Sequence, residues 1–232
     1  MLSMRVIAVA AQKGGSGKTT LAGHLAVQAE RAGAGPVAVI DTDAQGSLAA
    51  WWNEREAEAP LFAATDFARL PYDLQKLQDG GVRLAIIDTP PAITMAIKRV
   101  VMLADLVLIP TRPSPHDLRA VAATVDLVEA AGRSLVFVVN AATPRARITS
   151  DAAIALSQHG TVAPVTIHHR TDFASSMIDG RTVMEVNASG RSAAEIAALW
   201  DYVAGRLKRR ESHVLGPVPA RRGSFGRRVA SV

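Results

Sequence analysis

The chain has 232 residues, 49% apolar and 20% charged, a balance that suits one sizeable α/β domain or two small ones. It contains no cysteine, which excludes disulfides, thiolate metal sites and iron–sulfur clusters. The net charge of +5 is uneven: eight of the 26 Lys and Arg and one of the 21 acids lie from Arg206 onward, leaving 18 basic and 20 acidic residues before it. A near-neutral body with a basic tail points to a polyanion, nucleic acid or anionic membrane, or to a solvated tail that aids solubility.

In chain order, residues 6–10 read as a first buried strand, leading into a glycine-rich loop and a helix over 21–32. Residues 37–40 read as a second strand, ending at Asp41-Thr42-Asp43. Trp51 and Trp52 follow on the next helix; adjacent tryptophans there are expected to place one ring in the core and one partly in solvent, or alternatively to meet a partner. A helix near 73–78 is separated by Gly80-Gly81 from a strand over 84–87, which ends at Asp88-Thr89-Pro90-Pro91. Helix 94–103, strand 106–109, helix 117–131 and strand 135–139 continue the alternation. Asp117 reads as a cap after Pro113 and Pro115, and Gly132 as a stop.

Helix 151–159 and a short strand over 162–167 come next. A last helix runs from 192 to about 210, with Ile196, Leu199, Trp200, Val203 and Leu207 at helical spacing. The alternation predicts parallel β-α-β units, hence a doubly wound, mostly parallel α/β sheet flanked by helices. The domain is expected over 1–207. The segment 208–232, basic and broken by Pro217, Pro219, Gly223 and Gly226, is expected to be a disordered tail. No targeting segment is visible and no apolar window is long enough to span a membrane.

The chemistry concentrates in Lys13-Gly14-Gly15-Ser16-Gly17-Lys18-Thr19-Thr20, between a strand and a helix. Glycines there let successive backbone N–H groups turn inward around phosphate oxygens, and the helix N-terminus adds its positive end. Lys18 reaches the β- and γ-phosphates and the Thr19 hydroxyl ligates Mg²⁺. Asp41, Asp43 and Asp88 end strands whose carboxyl edge would face the nucleotide. Asp88 follows four apolar strand residues, as a Walker B acid does, and would hold Mg²⁺. Asp41 and Asp43 are alternatively caps of the helix that follows them.

An ordinary phosphate loop has glycine where Gln12 stands, and here a second lysine, Lys13, precedes the glycines. This deviant loop resembles the ParA/MinD family. The resemblance covers about residues 4–207 and is nearest to the short plasmid partition ATPases of the ParF type. It rests also on the segment Asp41 to Leu48, on Ile109 to Asp117, and on Met177 to Glu185. It implies an ATP- and Mg²⁺-dependent ATPase forming a sandwich dimer, with Lys13 acting on the partner's nucleotide. It further implies that Asp43 orients the attacking water and that Asp41 lies near the metal. Asn140 matches the asparagine that contacts adenine, or simply turns the chain. Ala44 replaces the family's usual proline.

The resemblance implies a cytoplasmic, nucleoid-associated protein whose ATP-bound dimer binds DNA without sequence preference and moves a plasmid, chromosome or protein cargo. A ParB-like or small DNA-binding adaptor would stimulate hydrolysis. Arg170 and Arg191 fall near the DNA-facing arginines of relatives, and Arg181, Lys208, Arg209 and Arg210 would extend that face. Each of these is alternatively an ordinary solvated or ion-paired residue. A separate N-terminal DNA-binding domain is not expected, because the phosphate-loop strand starts by Arg5. His168-His169 lacks metal-ligand spacing and reads as surface or strand-end residues. Two other readings stay open: a membrane-associated, MinD-like positioning ATPase, and a P-loop enzyme that phosphorylates a small molecule, of the dethiobiotin synthetase type.

Overall fold

A computed structural model describes residues 3–92 and 95–214. Six parallel strands form one sheet in the order β3-β2-β4-β1-β5-β6. They are β1 (Arg5–Val9), β2 (Val37–Asp41), β3 (Leu61–Phe62), β4 (Leu84–Asp88), β5 (Leu106–Thr111) and β6 (Ser134–Val139). The helices are α1 (Lys18–Arg31), α2 (Ser47–Asn53), α3 (Leu70–Asp79), α4 (Met95–Leu103), α5 (Pro115–Ala130), α6 (Arg147–Ser157), α7 (Thr171–Ser176), α8 (Val183–Val186) and α9 (Arg191–Val214). Among the described residues no helix is long and apolar enough to cross a membrane.

The strands are apolar on both faces because both faces are covered. Ile7, Val9, Leu84, Ile86, Leu106 and Leu108 point to a core shared with α1, α2 and α9. Val6, Ala8, Ala85, Ile87, Val107 and Ile109 point to a second core, shared with α3, α4 and α5. Each fully buried Ile, Leu or Val contributes about 1.5–3 kcal/mol of transfer free energy, so the two layers fix the period-two register of every central strand. That register positions the site. Val9 lies opposite Asp88, and Asp88 lies opposite Asp41. The loop leaving β1 therefore emerges at the level of two carboxylates.

Two sequence expectations are corrected here. The cap of α5 is Ser114, whose hydroxyl accepts from the Asp117 N–H, with Pro115 in the first turn; Asp117 belongs to that turn. Residues 162–167 form no strand. The segment follows β6 with isolated bridges at Val162 and His168 only, since Pro164 has no N–H to give and interrupts the ladder. The expected tail beyond residue 214 lies outside the described residues, and residues 208–214 continue α9.

The tryptophans divide as expected: Trp51 is 4% exposed and donates its indole N–H to the Arg181 carbonyl, while Trp52 is half-buried against Phe62 and donates to Pro60. Beneath Trp51 a clasp ties α2 to α8. The Arg55 guanidinium forks onto Glu185, reaches the Gly180 carbonyl and sits 4.9 Å from the centre of the Trp51 ring. Glu185 also closes a capping box with Thr182. Gly180 has φ +71°, and a Cβ there would come within 2.6 Å of the Arg55 Cα. Gly180→Ala is therefore expected to cost about 2–4 kcal/mol through backbone strain and overpacking, read as a lower urea midpoint at unchanged slope. An unchanged midpoint would show that the clasp yields freely.

Candidate functional site

The phosphate loop leaves β1 and turns through Gly15 (φ +70°) and Gly17 (φ +91°), conformations that only glycine adopts without strain. Gly17 starts α1, and no side chain caps the helix, so its first N–H groups are left for a ligand. Asn140, at the end of β6, donates its amide to the Ser16 carbonyl at 2.7 Å, and a Cβ on Gly17 would run into it. Asn140 is 9% exposed and supports the loop from behind.

The two lysines of the loop face different surroundings. Lys18 is buried, 7% exposed, and its pKa is lowered by burial, against the opposing pull of Asp88 and Asp43. Its ammonium lies 3.4 Å from the Lys13 carbonyl. The Lys13 side chain is exposed. Gly14, Gly15, Gly17, Lys18, Thr19, Thr20, Asp43, Gln45, Trp51, Pro91 and Arg112 line one open cleft of about 690 Å³. A smaller pocket of about 220 Å³ lies on the other side of Gly15 and Gly17, bounded by Asn140, Ile167, Phe173 and Arg170.

Asp88 is 1% exposed. One carboxylate oxygen accepts from the Thr19 hydroxyl at 2.5 Å, and the other is buried with no partner. Burial pushes its pKa up to about 7, with Thr19 pulling against it and Asp41 adding to it. A hydroxyl and an unsatisfied hard carboxylate oxygen suit a small divalent cation such as Mg²⁺, and the uncapped helix start beside them suits the phosphates such a cation accompanies. Asp41 is engaged otherwise: it accepts from the backbone N–H groups of Asp43, Leu48 and Ala49, and so caps α2. This is the capping geometry named above as its alternative. Asp43 accepts from the Gln45 N–H through one oxygen only and borders the cleft.

The basic residues do not form one group. Arg170 makes a two-armed pair with Glu195, which also receives the His168 backbone N–H and ring. Arg181 pairs with Asp179 beside the cleft. Arg191 opens α9, and Lys208 and Arg209 are exposed near its far end. Arg210 lies on the same helix, its side chain outside the described residues.

His24 carries no signal in the sequence, yet it joins the loop helix to the C-terminal region. Fully buried on α1, its Nδ1 faces the Thr20 carbonyl at 2.8 Å and its Nε2 accepts from the Val183 N–H at 3.3 Å. Burial lowers its pKa to about 4. An unfolded histidine titrates near 6.5. The stability this ring contributes is therefore present above about pH 6.5 and lost as pH falls toward 4. Asp88 titrates with the opposite sign, so a melting curve alone masks the effect. The direct check is the His24 ring NMR signal, expected to stay constant from about pH 7.5 to 5; a midpoint near 6.5 would contradict the burial argument.

A family model described as the CobQ/CobB/MinD/ParA nucleotide binding domain matches residues 7–183. The "Maintenance of carboxysome distribution protein A" of Halothiobacillus neapolitanus is 31% identical over 198 residues, which cover 82% of this chain and 91% of that one. Among solved structures, an ATP complex of a Cyanothece McdA variant superposes with a TM-score of 0.74 at 17% identity, covering 90% of this chain and 98% of that one. The Pyrococcus horikoshii septum site-determining protein MinD with Mg-ADP superposes at 0.71 and 17% identity, covering 88% and 98%. At such identities these two likenesses speak for the fold.

Proposed function

Because the chain belongs to the CobQ/CobB/MinD/ParA family of nucleotide-binding proteins, we propose that it is a Mg²⁺-dependent ATPase acting as a homodimer closed over two ATP molecules. The observation that carries the reading is the split between its two loop lysines, Lys18 buried with Asp88 acting on its charge and Lys13 exposed outside the lining of the cleft. Lys18 neutralises the phosphates of the chain's own nucleotide. Lys13 reaches outward to the nucleotide of a partner subunit, adding charge where it develops during phosphoryl transfer.

The backbone N–H groups from Gly14 to Thr20 cradle the phosphates, and Asn140 keeps that cradle in shape. Thr19 and Asp88 would hold Mg²⁺, which when bound draws charge from the β- and γ-phosphates. Asp43, with one carboxylate oxygen uncommitted at the cleft, orients the attacking water. Asp41 acts one step back, fixing the start of α2 and so the position of Asp43. With no strong base in the cleft, turnover is slow until a protein partner reshapes the site.

The ATP-bound dimer holds DNA through phosphate contacts from Arg191, Lys208, Arg209 and Arg210 and so resides on the nucleoid in the cytoplasm. Arg170 and Arg181, committed to Glu195 and Asp179, contribute by shaping that face. A DNA-binding adaptor on the cargo stimulates hydrolysis and releases the dimer. The name of the Halothiobacillus relative, which speaks of carboxysome distribution, supports a carboxysome-like cargo as one reading alongside a plasmid or chromosome.

Sedimentation with ADP, with ATP and with neither tests the dimer. The expected result is a dimer with ATP and Mg²⁺ only, absent in Lys18→Ala. A monomer that turns over only when a small-molecule acceptor is supplied would favour the phosphorylating-enzyme reading instead.

A further inference from the structure

The loop that follows β5 adds a cation to the nucleotide site that the phosphate-loop motif does not contain. Arg112 is held there from both sides. Thr111, buried at the end of β5, accepts the Asn140 backbone N–H. Pro113 biases Arg112 toward extended backbone, and the Arg112 carbonyl accepts the Ser114 N–H at 2.8 Å. Ser114 is in turn fixed as the cap of α5. A backbone held at Thr111, Arg112 and Ser114 fixes where the side chain starts, while its rotamers remain free to swing onto a ligand.

The guanidinium lies over the phosphate loop. Its terminal nitrogen is 3.5 Å from where a Cβ on Gly15 would stand. Arg112 borders both hollows flanking that loop: the cleft with Lys18, Thr19 and Asp43, and the smaller pocket with Asn140 and Ile167. No carboxylate pairs with it among the described residues, unlike Arg55, Arg170 and Arg181, each of which has its acid. A planar donor group, exposed, unpaired and poised over a cradle of backbone N–H groups, suits bidentate contact with phosphate oxygens.

We propose that Arg112 closes over the phosphate loop onto the phosphate chain of the nucleotide bound by its own subunit, where that chain passes between the two hollows. The inference rests on the nucleotide-binding reading above and names a further phosphate-binding residue within it. Gly15 is set by its own backbone, φ +70°; a Cβ there would stand in ordinary contact with the guanidinium.

Calorimetric titration of the full chain with ADP and with ATP in Mg²⁺ tests this. Arg112→Ala is expected to weaken both nucleotides by about 5–30-fold, and Arg112→Lys by less, since lysine keeps the charge but loses the fork. Adenosine binding and the melting temperature of the free protein should stay as in wild type, because Arg112 holds no other group in place. Arg119→Ala removes the same charge from an exposed position on α5 and should change affinity by less than about twofold. Wild-type affinity in Arg112→Ala overturns the proposal, as does equal weakening in Arg119→Ala. Weakening of ATP alone, with ADP unchanged, overturns the assignment to the subunit's own nucleotide. A wild-type chain that binds neither nucleotide, indistinguishable from Lys18→Ala, defeats the underlying reading rather than the role of Arg112 within it.

Discussion

Replacing Asp88 by asparagine is expected to lower ATP turnover by about 10²-fold or more while making the nucleotide-free protein more stable. The two effects share one cause. Asp88 is held in an apolar strand end with one oxygen unpartnered, and its pKa is raised to about 7. A free aspartate ionises near 4, so between about pH 4 and 7 the folded chain keeps a proton that the unfolded chain has released. Stability therefore falls as pH rises through that window, and at pH 8 the full cost of the buried charge is present. Asparagine keeps an acceptor for the Thr19 hydroxyl and carries no charge, so it should recover about 1–3 kcal/mol, or about 2–4 °C of melting temperature per kcal/mol. The gain should vanish below about pH 4. An Asp88→Asn protein that melts lower at pH 8, or that keeps its turnover, would show that the carboxylate has a different employment.

Lys13→Ala is the second large effect. The side chain is exposed and makes no hydrogen bond or ion pair among the described residues, so the substitution should leave folding unchanged. If Lys13 acts on the partner's nucleotide, turnover should drop by about 10²–10³-fold, the scale of a cation supplied in trans to phosphoryl transfer, while affinity for ADP stays near wild type. Lys18→Ala should instead lose binding itself, since Lys18 is buried beside the cradle. The contrast separates a residue that serves catalysis across a dimer from one that holds substrate within a subunit. Weak ADP binding in Lys13→Ala would place that lysine on its own subunit's nucleotide and remove the main support for a closed dimer.

Much of this was legible in the sequence because the central strands are nearly continuous apolar runs. Strands expected at 6–10, 37–40, 84–87, 106–109 and 135–139 occur within one or two residues of those bounds, as both their faces are buried. The phosphate loop was readable because strand, glycines, lysine, threonine and helix occur together within about twenty residues. Features built from distant partners were not. The two-residue strand β3 offers no period to detect. The Arg55–Glu185 clasp joins residues 130 apart, and His24 meets Val183 across 159. A lone histidine or arginine in a helix or loop carries no mark of such a partner. Two local features mislead: Asp117 and Ser114 are both plausible caps, and the proline at 115 decides for the serine before it, while the apolar run over 162–167 hides the interruption at Pro164.

The same distinction bears on the basic residues. Counting Lys and Arg in the sequence treats Arg170 and Lys208 alike, but one is spoken for by Glu195 and the other stands exposed on α9. Surface charge that is already paired offers little to a polyanion.

The most direct test of the account is DNA binding at fixed low salt with no nucleotide, with ADP and with ATP, beside a Lys18→Ala control. The account predicts tight, sequence-indifferent binding with ATP alone, steeply weakened by salt and lost in the control. Binding that ignores the nucleotide, or no binding under any condition, would contradict it.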